Sequence, residues 1–493
     1  MVVAAHPIAA HAGLDVLREG GNAVEAAVAV SLTLGVVEPF ASGLGGGGFM
    51  LICPAGRPDD TVIVDSRSKI SSLMTAERTY SRGKMLPWCP RSGPLSAAVP
   101  GLGRALQWAL GKFGGELPLS RLAEPAIRAA EEGFEIGETF RHCANMFEGT
   151  IRHYEETCRI FMKDGSPLRP GERLVQKELA RALKLVVERG FDVLYTGEIG
   201  RAMAREVNRT GPVWGERDLE TYAIEIRRPL RREVLGHEIL TTGAPSRGGY
   251  GILHTLMAWE EKRPARSSAE HLLFLARTWR SLWKAYDATI GDPASFDAPV
   301  DYLRRAPIGS PGTTHNTIVD REGTIVTSSQ TIGHFFGSGI TVPGYGIVIN
   351  DDITDMNNRP GTPNSIDAGR RPVSNMAPTL VARGGRPSLA LGSPGSFRIF
   401  SCLSQVVCNV IGYGMGLEEA VAAPRAHWES GTLFIEGGVD PAAIAEVKKA
   451  ADLQVDVRGP MDLFFGGVHA ASVEGAAVLG VADPRRDGVA LGL

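Results

Sequence analysis

Three threonines fall within five positions of the segment Pro311-Gly312-Thr313-Thr314-His315-Asn316-Thr317. A threonine at the head of a chain carries both a nucleophile and a base. Its hydroxyl attacks while its α-amine, with a reference pKa of about 8, takes the proton. The expectation is that the chain cuts itself before Thr313. The hydroxyl-dense start runs directly into a strand pattern. Thr317 to Asp320, the turn Arg321-Glu322-Gly323 and Thr324 to Thr331 read as a β-hairpin, because β-branched residues flank a short glycine-containing turn. Residue type alone does not separate Thr313 from Thr314, and threonine is common in strands whatever its chemistry. Upstream, Pro293 to Gly312 is irregular and rich in Pro, Gly and Arg, as an exposed segment suited to a cut is.

A second chemistry-bearing stretch is Gly392-Ser393-Pro394-Gly395-Ser396. It joins a strand over Ser388 to Leu391 to a helix over Phe397 to Val410. The first N–H groups of a helix lack internal partners, and the helix dipole favours negative charge there. That arrangement suits an oxyanion hole, although an ordinary strand-to-helix turn has the same pattern. Arg67 follows a strand over Thr61 to Asp65. At that position an arginine either grips a carboxylate with two prongs or lies on the surface. The run Gly43-Leu44-Gly45-Gly46-Gly47-Gly48 is not a phosphate cradle: it has no GK[ST] and enters a strand, Phe49 to Ile52, rather than a helix. It reads as backbone packed closely against another part of the chain, such as an active site.

The supporting elements alternate between helix and strand. Ala9 to Glu19 is helical and stops at Gly20-Gly21, and Asn22 caps a second helix over Ala23 to Leu34. Ala123 to Glu206 is mostly helical, with solvated charges at Glu131-Glu132 and Glu155-Glu156. Arg227 to Thr242 returns to strand. Helices follow over Tyr250 to Trp259 and Ala269 to Ala288, then strands over Gly346 to Asn350, Thr379 to Ala382 and Ala476 to Val481.

The 493 residues carry a formal charge of −3, with 43% apolar and 22% charged residues, which describes an ordinary globular protein without the basic footprint of a nucleic-acid partner. Six cysteines form no CxxC pair, which argues against a zinc site or a dense disulfide framework; Cys402 and Cys408 read as buried thiols. The N-terminus lacks the basic and apolar regions of a secretory signal, and Ala26 to Val37 is shorter than the roughly 20 residues of a membrane span. A cytoplasmic protein with no membrane span is the default expectation. No metal, nucleotide or flavin motif is present, and no cofactor is expected.

Ala4 to Val37, Gly43 to Phe49, Asp65 to Arg67, Pro245 to Gly249, Thr313 to Thr331, Asp352 to Asp355, Arg371 to Met376, Gly392 to Arg398 and Asp483 to Gly488 occur in one order at fitting spacing. Together they resemble the γ-glutamyltranspeptidase family over nearly the whole chain. The resemblance implies an α+β fold, the four-layer αββα sandwich of N-terminal nucleophile hydrolases. It also implies autocatalytic cleavage of one precursor at Gly312–Thr313. The products are a large segment, 1–312, and a small one, 313–493, which together form one αββα unit.

By matched position Thr313 looks like the nucleophile and Thr331 like a second threonine that hydrogen-bonds near it. Gly395 and Ser396 match the pair whose backbone N–H groups hold the oxyanion. Arg67 matches the partner of a glutamyl α-carboxylate and Asp355 the partner of its α-ammonium. Asp352, Ser374 and Asn375 fall at further substrate-binding positions. The implied reaction is cleavage of γ-glutamyl amides such as glutathione through an acyl-enzyme, with water or an amino acid as acceptor.

Several positions depart from the family pattern. Gly333 stands where Asn is frequent, Asp352 where Gln or Glu is, Ser374-Asn375 where Ser-Ser is, and Ser396 where a second glycine is. The chain between Asp355 and Arg371 is too short for the lid loop of some members. These departures motivate an alternative: the same fold and nucleophile acting as an amidohydrolase or acylase on another small carboxylate-bearing amide, such as an oxamate-like compound. A third reading, an unprocessed ligand-binding homologue, is disfavoured by the intact Thr313-Thr314-His315 start.

Overall fold

The computed structural model describes residues 1–81, 84–85, 92–293, 312–357, 359–450 and 453–493. Most of the stretch between Pro293 and Gly312, expected to be open to cleavage, lies outside the described residues.

Two sheets occupy the middle of the molecule. In chain order their strands are β1 (Val2–Ala4), β2 (Gly47–Cys53), β3 (Val62–Asp65), β4 (Glu225–Arg227), β5 (Leu230–Val234), β6 (His237–Thr241), β7 (Gly312–Val319), β8 (Ile325–Gly333), β9 (Thr379–Arg383), β10 (Arg386–Gly392), β11 (His469–Glu474), β12 (Ala477–Ala482) and β13 (Val489–Leu491). The seven-stranded sheet has the order β4-β3-β2-β8-β7-β1-β13 and the six-stranded sheet the order β5-β6-β9-β10-β11-β12. Every neighbouring pair in both sheets is antiparallel.

The side-chain alternation of β2 explains the layering. Met50 and Ile52 pack into a core shared with helices α1 (Pro7–Arg18) and α2 (Ala23–Val37). Phe49, Leu51 and Cys53 point the other way, into a core shared with the six-stranded sheet and with helices α3 (Gly248–Lys262) and α4 (Arg398–Val407). A strand covered on both faces must be apolar at every position, as β2 is. The result is helix, sheet, sheet, helix: an αββα sandwich. Helix α2 is apolar nearly all round, as a helix wedged into a core must be. It starts at a capping box, in which Asn22 accepts from the Val24 and Glu25 N–H groups and Glu25 accepts from the Asn22 N–H at 2.9 Å.

Several expected boundaries move. Arg227 to Thr242 is not one strand, because Pro229 cannot donate to a ladder and the chain uses that break to pass from β4 in one sheet to β5 in the other. The expected helix after Ser396 keeps its α geometry over Arg398–Val407 and ends in a π-turn, Cys408–Gly412. Ala123 to Glu206 is interrupted by short strand pairs, Phe134–Glu135 with Arg173–Leu174 and Met162–Lys163 with Ser166–Pro167. Gly346 to Asn350 contributes only the two-residue strand Ile347–Val348. Cys402 and Cys408 are buried free thiols. No helix among the described residues is long and apolar enough to cross a membrane.

Candidate active site

β7 and β8 of the seven-stranded sheet face the six-stranded sheet; Val319 and Ile325 join the apolar core between them, and the positions from Thr317 back to Thr313 and from Thr327 on to Thr331 on that face are polar. Thr317 pairs with Thr327 and His315 with Ser329 in regular register, but the register shifts between Gly312 and Thr314. The bulge places Thr331 and Ile332 opposite Thr313, and such bulges re-aim side chains beside active sites. The Thr331 hydroxyl donates to the Gly312 carbonyl and accepts from the Gly333 N–H at 3.0 Å. Thr313 Oγ1 lies 2.8 Å from the same Gly312 oxygen and 3.4 Å from Thr331 Oγ1. Both threonines are buried, as is the rest of this hydroxyl ladder.

The ladder continues inward through His315, whose Nδ1 is 2.8 Å from Ser329 Oγ and whose Nε2 is 2.9 Å from Thr327 Oγ1. Burial first, and the neighbouring His469 second, hold the His315 pKa well below its ordinary value, so the ring is neutral. Its ring fills the space that a side chain at residue 392 needs: a Cβ on Gly392 would lie 2.1 Å from it. His315 therefore wedges β7 against the start of the Gly392–Ser396 loop. The sequence reading did not single out this ladder. Its trace is the run of hydroxyl residues at alternate positions, Thr313 and Thr317 on one strand and Thr327, Ser329 and Thr331 on the other.

The Gly392–Ser396 loop brings Ser396 into one pocket with Thr313, and Gly395 precedes it. Gly395 has φ +131° and Ser396 has φ +58°. Gly395 suits a glycine, whereas Ser396 sits in the left-handed region, where a side chain costs roughly 1–2 kcal/mol. Among the described residues neither the Gly395 nor the Ser396 N–H has a protein acceptor. Helix α4 begins immediately behind them, so its dipole adds to their pull on an anion.

Arg67 stands on the opposite wall and is no surface residue, being 1% exposed. Its Nη1 lies 2.6 Å from Asp352 Oδ1 and its Nη2 2.5 Å from Asp355 Oδ2. Its Nε donates to the Pro372 carbonyl at 3.2 Å and its Nη2 to the Val373 carbonyl at 3.1 Å. Asp352 also accepts from Ser68 Oγ at 2.6 Å. Asn364 ties the two sides together, donating to the Asp355 carbonyl and accepting from the Val373 N–H. Burial opposes the charge of Arg67, and Asp352 and Asp355 outweigh it, so the guanidinium pKa rises. Burial lifts Asp352 to about 6 against the pull of Arg67, and lifts Asp355 in the same direction. One guanidinium between two carboxylates leaves one negative charge in excess when all are ionised.

Ser374 and Asn375 are held by the Pro245–Gly249 segment. The Ser374 N–H donates to the Pro245 carbonyl at 3.0 Å, and a Cβ on Gly248 would lie 2.1 Å from the Asn375 carbonyl oxygen. The glycine run before β2 supports the other side: a Cβ on Gly46 would lie 2.0 Å from the Thr331 carbonyl oxygen, and one on Gly48 2.2 Å from that of Ser329.

One pocket is lined by Arg67, Thr313, Thr331, Asp355, Ser374, Asn375, Met376, Ser396 and Ile399. Of the site residues expected from sequence, only Asp352 and Gly395 are missing from this lining; Asp352 sits behind Arg67, and Gly395 precedes Ser396 in the loop. Met376 and Ile399 add an apolar side that the sequence did not point to. Among the described residues no group of three or more His, Cys, Asp or Glu side chains is arranged to hold a metal ion.

The family model described as gamma-glutamyltranspeptidase matches residues 9–306 and 280–493. The chain belongs to the γ-glutamyltranspeptidase family. Among its relatives in that family, the glutathione hydrolase proenzyme of Bacillus subtilis (strain 168) is 32% identical over 100% of this chain and 91% of that protein. The acylase ACY 1 proenzyme of Pseudomonas sp. (strain SE83) is 34% identical over 99% of this chain and 92% of that protein. The solved cephalosporin acylase of Bacillus halodurans has a TM-score of 0.89 at 22% identity, covering 99% of this chain and 94% of that one, which establishes the shared fold. The fold of this family member is that of an N-terminal nucleophile hydrolase.

Proposed function

We propose that this chain is a self-processing N-terminal threonine hydrolase or transferase that cleaves γ-glutamyl amide bonds. The observation that carries the reading is a single pocket combining Thr313, Thr331 and Ser396 with an Arg67–Asp355 pair. Processing begins when Thr313 Oγ attacks the Gly312 carbonyl carbon. The Thr331 hydroxyl stabilises the oxyanion, the C–N bond breaks, and the hydroxyl proton ends on the released amine. Water then hydrolyses the Gly312 ester. The products are fragments 1–312 and 313–493, and the second begins with the free amine of Thr313.

In the second reaction that amine takes the Thr313 hydroxyl proton as Oγ attacks the γ-carbonyl of a donor. The Gly395 and Ser396 N–H groups bind the oxyanion. The C–N bond breaks, the amine returns its proton to the leaving nitrogen, and water or an amino acid releases the acyl group from Thr313 by the reverse sequence.

The charge of the pocket supports an amino-acid-like donor. A glutamyl α-carboxylate pairs with Arg67 while the α-ammonium meets Asp355 and offsets the surplus negative charge. An oxamate-like acyl group, lacking the ammonium, adds a second uncompensated charge. Turnover of a chromogenic γ-glutamyl anilide, absent in Thr313→Ala and weak for the matching glutaryl anilide, is the expected result. A preference for the glutaryl compound reverses the donor assignment.

A further inference from the structure

Ser396 carries a hydroxyl at the point where the oxyanion loop meets the nucleophile. The residue is 4% exposed, it lines the pocket with Thr313 and Thr331, and its Oγ has no hydrogen-bond partner. A buried hydroxyl without a partner costs roughly 1–3 kcal/mol. It is also held at φ +58°, a conformation that glycine adopts without penalty. Both costs fall on a residue that lines the pocket beside Thr313, and both vanish if the position is glycine. Side chains that combine backbone strain with an unmet polar group collect where a ligand completes them.

We propose that the Ser396 hydroxyl is a third oxyanion donor, bonding the carbonyl oxygen of the acyl group alongside the backbone N–H groups of Gly395 and Ser396. The inference rests on the reading of Thr313 as the nucleophile and adds a side-chain donor to a hole otherwise made of main chain. A hydroxyl rotates freely, so it follows the oxygen as the trigonal carbonyl becomes tetrahedral. The benefit is therefore concentrated in the transition state rather than in substrate binding. Self-cleavage draws on a different donor, since the Gly312 carbonyl is held by Thr331.

The test compares Ser396→Gly and Ser396→Ala with wild type on γ-glutamyl and glutaryl anilides, using whichever compound wild type hydrolyses. Glycine removes the hydroxyl and the strain, whereas alanine removes only the hydroxyl. Both variants are expected to lose on the order of 100-fold in kcat with KM little changed. Ser396→Gly should melt no lower than wild type, and fragment formation on a denaturing gel should continue in both. Wild-type kcat in Ser396→Gly overturns the proposal. A change confined to KM, or joint loss of processing and turnover in both variants, overturns it as well. If wild type favours the glutaryl compound, only the donor assignment falls, and the hydroxyl is still judged from kcat.

Discussion

Thr331 reaches across the β7–β8 bulge to bind the carbonyl of Gly312, the residue that precedes Thr313. The Thr313 hydroxyl lies 2.8 Å from the same oxygen, so in the proposed self-cleavage the attacking group and the group that stabilises the resulting charge share one carbonyl. Removing the Thr331 donor leaves the attack without its oxyanion partner. Thr331→Val should slow self-cleavage by on the order of 100-fold, read as the rate at which full-length chain disappears from a denaturing gel. A variant that processes at the wild-type rate shows that another group holds the charge.

Arg67 is the only cation in contact with both Asp352 and Asp355 among the described residues. Deleting it leaves two buried carboxylates facing one another. Arg67→Ala should lower stability by about 3–5 kcal/mol, measured by denaturant unfolding. Arg67→Lys keeps the charge but cannot span both acids and the Pro372 and Val373 carbonyls. It should fold and raise KM for a γ-glutamyl donor with a smaller effect on kcat.

The Asp352 carboxyl, raised by burial to about 6, gives the pocket a pH dependence. Below that value it is protonated, and the surplus negative charge, which in the proposed reading attracts the donor ammonium, is lost. KM for a γ-glutamyl donor should fall as pH rises through about 6, and Asp352→Asn should remove that inflection. The stability effect has the opposite sign. An acid whose folded pKa is raised binds more protons folded than unfolded, so its contribution to stability declines as pH rises from the ordinary carboxylate range to about 6. Unfolding of wild type and Asp352→Asn across that window should show the decline in wild type alone.

Gly46 offers a test at a distance from the reacting atoms. Its Cα rests against the Thr331 carbonyl, 2.0 Å from where a Cβ would sit. Gly46→Ala must push β8 away from the glycine run. Processing should slow in a chain that still folds, as judged by circular dichroism and a gel time course. An unaltered time course means that Thr331 is not positioned by this contact.

The elements that line the pocket were legible in sequence because their signals are local: hydroxyl residues in a hairpin, a glycine loop before a helix, an arginine after a strand. The glycine run was legible as a close packing surface, since only missing side chains permit the approach at Gly46 and Gly48. What sequence did not show depends on which faces meet. His315 is an ordinary strand residue until the two sheets stack and bring Gly392 against its ring, and Arg67 reads equally well as exposed until Asp352 and Asp355 close over it. The passage from β4 to β5 was hidden for the same reason: strand propensity is similar on both sides of Pro229, and only the pairing partners reveal two sheets. The left-handed backbone at Ser396 could be posed as a question from the sequence but answered only by the dihedral angle.

The central claim is that the nucleophile is created by a break in the chain. Intact mass and N-terminal sequencing of the purified, active protein address it directly. The account predicts fragments of about 33 and 19 kDa, from their lengths at typical residue mass, with the smaller one beginning Thr-Thr-His. Amide hydrolysis by protein in which Thr313 remains joined to Gly312 would contradict it.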